Sequence, residues 1–220
     1  VCSSDLIGAK SDTEMALDIN MGAGWWRFTL NRVVEGGSSN PIVGDWQLAQ
    51  AAGALGVGPT LGDISWWSSS ELDLVSRDCL FDDIYRFSDD GTFANVMGDA
   101  TFTEDWQNGN QGEACLAPVS PHDGSNPATF TFDEDNLELT LDGTGAHIGL
   151  PKAVNGGELS AGFDLPSSIV YTISAFNDTA MTLDINFGPG FWRFELEKVA
   201  GTGGSGGGGG ANTGGGANTT

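Results

Sequence analysis

The sequence predicts an all-β fold, a single antiparallel meander barrel of about eight to nine strands within residues 42–199. Short runs of alternating apolar and polar residues are separated by clusters of Gly, Asn and Asp, the pattern of strands joined by turns. Five of the seven tryptophans fall in this region, which is long enough to enclose one core. No segment shows a sustained helical period, although WQLAQAAGALG is compatible with one helical turn. A two-sheet sandwich of the same strands is the alternative architecture.

The individual strands follow from this alternation and from the turn residues between the runs. Strands are predicted at residues 45–49, 79–87, 92–97, 129–132, 137–141 and 146–150, followed by a three-strand meander over 167–199. Turns are predicted at Asp89-Asp90-Gly91, Glu134-Asp135, Asn177-Asp178 and Gly188-Pro189-Gly190.

The last hairpin of the meander has one apolar and one polar face. Its predicted core face carries Met181, Leu183, Ile185, Phe187, Trp192, Phe194 and Leu196. Its opposite face carries Thr182, Asp184, Asn186, Phe191, Arg193 and Glu195.

An internal repeat defines the predicted domain organisation. Residues 12–33 match residues 178–199 at 14 of 22 positions, at a constant offset of 166. We therefore interpret 12–34 as the C-terminal hairpin of a truncated preceding repeat and the chain as a fragment of a tandem array. Residues 35–41 are predicted to be a linker, and 200–220 a disordered Gly/Asn/Thr linker. Residues 1–11 are set aside as an assembly scar or linker, because VCSSDL resembles the translation of a sequencing adapter.

Charge and cysteine content narrow the function classes. The net charge of −22 repels phosphate backbones and anionic lipids, so we expect neither nucleic-acid binding nor membrane insertion. Cys79 and Cys115 form a predicted disulfide, with two buried free thiols as the alternative. The disulfide and the linker composition together favour a secreted or cell-surface protein.

Three motifs in residues 41–199 resemble the lipocalin-like domains of secreted bacterial proteins. They are Gly44-Asp45-Trp46, similar to the lipocalin G-x-W, the run CLFDDIYRFSDDGTF, and the closing strands that end in WRFELEKV. The segment also resembles, more loosely, a repeat domain of multimodular secreted proteins of glycan degradation. These resemblances imply a barrel and a polysaccharide context.

Carbohydrate binding needs flat aromatic faces and polar groups in the plane of a sugar ring, and two residue sets offer them. The first set is Trp66 and Trp67, which point to opposite faces if extended, together with Asp63 and Trp106. The second set is the polar hairpin face, of which Asp184, Asn186, Phe191 and Arg193 are the candidate ligand contacts. A structural alternative is that Arg193 packs on Trp46, as an arginine near the end of the last strand can do in lipocalin-like barrels.

Catalytic and metal-binding motifs are weak, and we expect neither an enzyme nor a cofactor. ELDLVS resembles the E-x-D-x-x-E strand of family 16 glycoside hydrolases, but Ser76 stands where that motif has its acid/base glutamate. His122 and His147 lack a nucleophile motif, the acidic turns do not match the EF-hand loop, and no zinc-ligand spacing occurs. Lys152 is either a ligand contact or a solvated loop lysine.

The sequence therefore predicts a non-catalytic module that binds polysaccharide, with β-glucan as a candidate, beside neighbouring modules of the same chain. Two alternatives stay open. One is a structural or adhesive spacer, and the other is a lipocalin-type binder of a small apolar ligand in the barrel lumen.

Overall fold

The computed structural model describes residues 6–10, 14–20, 22, 24–31 and 40–200. The chain divides into two units between Pro41 and Ile42, which is where the sequence predicts the barrel to begin. The predicted linkers at 35–41 and 200–220 lie outside the described residues, apart from the residues at their inner ends.

The first unit is a three-stranded antiparallel sheet in the order β1-β2-β3. Its strands are β1 (Leu6–Lys10), β2 (Glu14–Asn20) and β3 (Trp25–Asn31). The predicted hairpin corresponds to β2 and β3. Strand β1 lies within residues 1–11, the range set aside as an assembly scar or linker.

The second unit is built on a closed, eight-stranded meander barrel, which confirms the predicted fold class. The barrel strands are β4 (Gly44–Leu48), β7 (Ile84–Phe87), β8 (Thr92–Val96), β11 (Ala128–Asp133), β12 (Glu138–Asp142), β15 (Ser168–Phe176), β16 (Ala180–Asn186) and β17 (Phe191–Lys198). Each pairs with the next, and β17 closes the barrel on β4.

Shorter elements fill the connections between the barrel strands. They are β5 (Leu55–Gly58), β6 (Trp67–Ser68), α1 (Glu71–Ser76), α2 (Asp78–Phe81), β9 (Thr101–Thr103), a 3₁₀ turn (Asp105–Gln107), β10 (Ala114–Leu116), β13 (Ala153–Val154) and β14 (Gly157–Glu158). Strand β5 continues the line of β4 along β17, and β6 pairs with β5.

The two ends of the barrel differ in their connections. Tight hairpin turns join β7 to β8, β11 to β12 and β15 to β16 at one end, which we call the closed end. The opposite end, called the open end, carries the long connections 97–127 and 143–167, the segment 59–83 and the short β16–β17 turn. Binding residues in barrels of this kind are placed by such loops, so the open end is the first place to look for a site.

The interior is lined by the inward-facing residues of the barrel strands. All seven predicted core positions of the last hairpin are buried, which confirms that part of the sequence analysis. The largest fully buried side chains are Trp46, Tyr85, Tyr171, Phe81, Phe87 and Phe194.

Lys198, and not Arg193, covers Trp46 at the closed end. The Lys198 ammonium lies 5.1 Å from the centre of the Trp46 indole, whose Nε1 donates to the carbonyl of Ile42 at 2.7 Å. Gly44 has a φ of +132°, and a Cβ there would lie 2.7 Å from Lys198 Cε. The Gly-x-Trp spacing thus lets the lysine stem lie flat across the strand, and the alternative of Arg193 packing on Trp46 is wrong.

Two short helices replace part of a predicted strand. Residues 79–81 lie in α2, so the strand predicted over 79–87 begins only at Ile84. The ELDLVS run is helix α1, and the Asp73 carboxylate at its third position accepts from the backbone N–H of Ser70 at 2.8 Å. A capping box is therefore the local signal for this helix.

Residues 146–150, predicted to be a strand, instead run through the barrel interior. We call the buried stretch 145–151 the lumen segment. Gly149 N–H donates to Tyr85 Oη at 3.0 Å, and Ile148 N–H donates to Tyr171 Oη at 2.9 Å. Because β7 and β15 lie on different sides of the barrel, these bonds place the segment across the lumen.

The polar groups of the lumen segment are satisfied by side chains instead of a strand ladder. Asn95 on β8 donates to the carbonyl of His147 at 2.7 Å. Burial raises the pKa of both Tyr85 and Tyr171, so their hydroxyls keep their protons.

The predicted disulfide is present and joins α2 to β10 through Cys79 and Cys115. It therefore ties two open-end connections together. Among the described residues, none of the helices has the length and apolar composition needed to cross a membrane.

Candidate ligand site at the open end of the barrel

The two adjacent tryptophans point to opposite sides, as the sequence predicts for an extended pair. Trp67 on β6 pairs with Val57, which in turn pairs with Trp192, so all three share the inward face. The Trp67 and Trp192 rings meet edge to face, 6.4 Å apart. Trp66 points the other way and remains 52% exposed.

Glycines on β5 allow the segment before Trp66 to fold back on the outer face of the barrel. A Cβ at Gly56 would lie 2.4 Å from Ile64, and one at Gly58 would lie 2.2 Å from the carbonyl oxygen of Asp63. The close approach of 63–64 to this strand requires glycine at both positions.

Trp66 packs against one further glycine, Gly190. A Cβ at Gly190 would lie 2.6 Å from the Trp66 ring and 2.4 Å from the carbonyl oxygen of Gly58. The indole therefore lies against the β16–β17 turn with about half of its surface open to solvent. It forms a rigid aromatic platform on the rim of the open end.

A charged cluster lies beside the inward-facing tryptophan. Arg77, which precedes α2, places its guanidinium carbon 4.2 Å from the centre of the Phe102 ring and 5.3 Å from that of Trp67. Its nitrogens lie 3.5 Å from Asp73 and 3.6 Å from Glu113. The arginine is thus held between two rings and two carboxylates.

Lys152 extends the cluster towards Trp192. Its ammonium lies 3.2 Å from Glu104, 3.8 Å from Glu113 and 5.4 Å from the centre of the Trp192 ring. The Trp192 indole also donates to Glu158 at 2.9 Å. The lysine side chain is only 21% exposed. The interpretation of Lys152 as a solvated loop lysine is therefore wrong.

Glu104 is the most buried acid of this cluster. Burial raises its pKa, the Lys152 ammonium opposes the rise and the charge of Glu113 adds to it, so that the pKa is about 7. Its Oε1 is buried with no hydrogen-bond partner among the described residues. We call Trp67, Trp192, Arg77, Lys152, Glu104 and Glu113 the mouth cluster.

The polar face of the last hairpin is engaged in internal contacts. Arg193 forms two hydrogen bonds to the Asp184 carboxylate at 2.9 and 2.8 Å, and Ser174 donates to the same group. Asp184 is 1% exposed, and a Cβ at Gly62 would lie 3.1 Å from Arg193. These contacts favour an architectural role for both residues.

The other predicted site residues have separate environments. The Asn186 side chain accepts from Gly188 N–H at 2.7 Å and so stabilises the turn below Trp66, and Phe191 is half-buried opposite Gly58. The Asp63 carboxylate accepts from Ser65 N–H at 2.6 Å. These residues support the platform.

Trp106 belongs to a different packing group. Its ring meets His122 edge to face at 5.6 Å, and His122 meets His147 at the same distance. Burial lowers the pKa of His122 to about 4 and that of His147 to about 3, so both imidazoles are neutral near pH 7. Trp106 thus packs on the histidine that covers the lumen segment.

Potential metal ligands converge at one place in the described part of the chain. Asp78, Cys79 and Cys115 have ligand atoms within 4.8 Å of one another, but the two sulfurs are bonded to each other. The acidic turns use their carboxylates locally: Asp90 accepts from Thr92 N–H at 3.0 Å, and Asp133 accepts from Asn136 N–H at 3.0 Å.

Asp83, which directly precedes β7, makes the free energy of unfolding depend on pH. Burial raises its pKa to about 8, although Thr101 donates to its Oδ2 at 2.5 Å. The folded state therefore keeps a proton that the unfolded state releases near pH 4. This stabilisation is complete below about pH 4 and is lost as the pH rises to about 8.

We expect Asp83→Asn to remove this dependence, because asparagine resembles the protonated acid. His122 and His147 act in the opposite direction below about pH 6.5, so the clearest window is pH 7 to 8. There the free energy of unfolding of the parent should fall by up to about 1.4 kcal/mol per pH unit more than that of the variant. Urea unfolding at pH 7 and 8 checks this, and parallel pH dependence of the two proteins would refute it.

No protein-family model matches this chain, and a search of curated proteins finds no match. The function must therefore be inferred from the geometry of the open end.

Proposed function

We propose that the barrel is a non-catalytic carbohydrate-binding module that recognises polysaccharide through its open end, with β-glucan as the first class to test. The observation that carries the proposal is Trp66, an indole 52% exposed yet packed against Gly190. Leaving half of a tryptophan in water forgoes apolar burial, and a sugar ring supplies the flat apolar face that would cover it.

The fixed orientation of Trp66 favours binding over chance exposure. Its contact with the backbone at Gly190, and the bond from its own backbone N–H to the carbonyl of Val57 at 3.0 Å, hold the ring in one position before a ligand arrives. A ligand then pays little conformational entropy to order it. An unsupported surface tryptophan would lack this advantage.

The mouth cluster supplies the second requirement of sugar recognition. Glu113, Arg77 and Lys152 are between 19% and 39% exposed, with Arg77 beside Trp67 and Lys152 beside Trp192. The planar carboxylate and guanidinium groups can hydrogen-bond pairs of hydroxyls, and the ammonium can donate to single ones. The rim platform and the mouth cluster together suit a pyranose chain that crosses the open end.

The lumen segment favours this surface site over a small apolar ligand inside the barrel. Ile148 and Leu150 are 0% and 1% exposed and occupy the interior that a lipocalin-type ligand would need. The chain's own residues thus fill the barrel centre.

The module fits a secreted or cell-surface protein with several domains. The Cys79–Cys115 disulfide is compatible with an oxidising compartment, and the acidic composition suits a soluble exported protein. Repeated modules on linkers would raise the apparent affinity for a polymer through effective concentration.

We expect Trp66→Ala to weaken polysaccharide binding by about tenfold, which corresponds to about 1.4 kcal/mol. Affinity electrophoresis in gels that contain soluble polysaccharides, beginning with β-glucans, measures the effect. The parent chain should be retarded by at least one polymer, and Trp66→Ala should migrate nearly as in a polymer-free gel.

Leu137→Ala is the control, since Leu137 is 45% exposed and lies in the β11–β12 turn at the closed end. It should be retarded like the parent. Absence of retardation of the parent across the panel, or equal retardation of parent and Trp66→Ala, would exclude the proposed site.

A further inference from the structure

The sheet β1–β3 repeats the closing sheet of the barrel in its detailed register. Ile7 pairs with Leu17 as Ile173 pairs with Leu183, each at an offset of 166. Both sheets have a register shift at the same place, between Ile7 and Ala9 and between Ile173 and Ala175. The structural match thus extends beyond residues 12–33 to the strand that precedes them.

The positions that face the barrel interior in β16 and β17 are identical in β2 and β3. The equivalent pairs are Met15 and Met181, Leu17 and Leu183, Ile19 and Ile185, Trp26 and Trp192, Phe28 and Phe194, and Leu30 and Leu196. The two strand pairs thus carry the same apolar residues at every such position.

Two of these side chains are covered in one copy and exposed in the other. Trp192 and Phe194 are 5% and 0% exposed, whereas Trp26 and Phe28 are 62% and 41% exposed. The polar face is retained as well, because Arg27 contacts Asp18 at 2.8 Å just as Arg193 contacts Asp184 at 2.8 Å. Trp26 and Phe28 of sheet β1–β3 are therefore exposed apolar side chains at positions whose equivalents in the barrel have a defined partner.

The contacts of β15–β17 in the barrel show which partner such an apolar face packs against. Strand β17 pairs with β4 and β5, β15 pairs with β12, and the inward side chains meet the lumen segment, since a Cβ at Gly149 would lie 2.1 Å from the Phe194 ring. An intact second copy of the chain has this seat already filled by its own β15–β17. The fitting partner is a barrel body without its closing sheet.

We propose that the apolar face of sheet β1–β3 docks onto a second barrel body with the side chains of residues 42–171 and closes it as β15–β17 close the first. Residue 171 of that body would directly precede Leu6, because position 6 corresponds to position 172. The two barrels would then be tandem copies joined through residues 32–41.

The test is an extended chain in which a copy of residues 40–171 replaces residues 1–5. We expect a second barrel that buries Trp26 and Phe28. In the present chain Phe28→Ala should leave the melting temperature unchanged. In the extended chain it should lower the melting of one barrel by roughly 10 °C, as Phe194→Ala should in the present chain.

Hydrogen exchange gives an independent measurement. The β3 amides should exchange quickly in the present chain and become as protected as those of β17 in the extended chain. A second join, in which a copy of 40–177 precedes Asp12, supplies the same seat to β2 and β3 alone. If the β3 amides stay unprotected and Phe28→Ala stays silent with both joins, the proposal is wrong. Displacement of β15–β17 by β1–β3, seen as loss of β17 protection, would also overturn it.

Discussion

Gly149→Ala should destabilise the barrel by about 4 kcal/mol, among the largest effects that a single methyl group can have here. Gly149 has a φ of +70°, and its Cβ would lie 2.1 Å from Cε1 of Phe194, a side chain that is 0% exposed. The ring cannot move away because the interior is packed, so the lumen segment must shift and lose the bond from Gly149 N–H to Tyr85.

Gly156→Ala is the matched control for this substitution. Gly156 has a φ of +77°, and no atom lies within 4 Å of its Cβ position. It therefore carries the conformational cost of a positive φ without the overlap, about 1 kcal/mol. Urea unfolding of both variants separates the two costs. Equal losses would show that the lumen segment does not lie against Phe194.

Asp184→Ala should cost about 3 kcal/mol, because it leaves a partly buried guanidinium without its partner. Asp184 is fully buried, accepts two hydrogen bonds from Arg193 and is contacted by Ser174. Arg193 is 21% exposed and covered near Gly62, so water can replace only part of this contact. Chemical unfolding of the barrel measures the loss.

Asp18→Ala removes the same ion pair in the first unit and serves as its control. Arg27 is 66% exposed and can regain water, so we expect no measurable change in the unfolding of the barrel. Comparing the two losses of stability tests whether the Asp184–Arg193 pair stabilises the barrel. A loss at Asp184 no larger than that at Asp18 would contradict this role.

The alternation of apolar and polar residues was sufficient to predict those barrel strands that have one buried face. The closing hairpin shows this best, because Met181 to Phe187 alternate strictly and the turn at Gly188 is marked by glycine and proline. The apolar run Cys79–Phe81 has no such alternation, and a short apolar run fits a helix as well as a strand. The Ser70–Asp73 capping spacing was the local sign of helix α1.

The lumen segment could not be predicted from its own residues. AHIGL has the composition of a strand, yet glycines 145 and 149 have φ of +87° and +70°. Its hydrogen-bond partners, Tyr85, Asn95 and Tyr171, come from three separate strands. Only the closed barrel brings these groups together.

The candidate site was predictable only in part for the same reason. Because Trp66 and Trp67 are neighbours in the sequence, they were predicted to point to opposite faces of an extended strand, and the structure confirms this orientation. Arg77 was not predicted as a site residue, and neither were Glu104 and Glu113, because Arg77 lies on one open-end connection and the two glutamates lie on another. Scarcity is a signal for Arg77 alone, which is one of 8 basic residues, whereas the chain has 30 acidic ones.

The most direct test of the proposed site is a titration of the chain with a soluble β-glucan oligosaccharide, followed by NMR of the indole N–H signals of its seven tryptophans. Trp66 lies on the rim, Trp67 lies in the mouth cluster, and Trp46 is fully buried at the closed end. We predict saturable shifts of the Trp66 and Trp67 signals and an unchanged Trp46 signal. Unchanged Trp66 and Trp67 signals with every glycan of a broad panel would contradict carbohydrate binding at the open end.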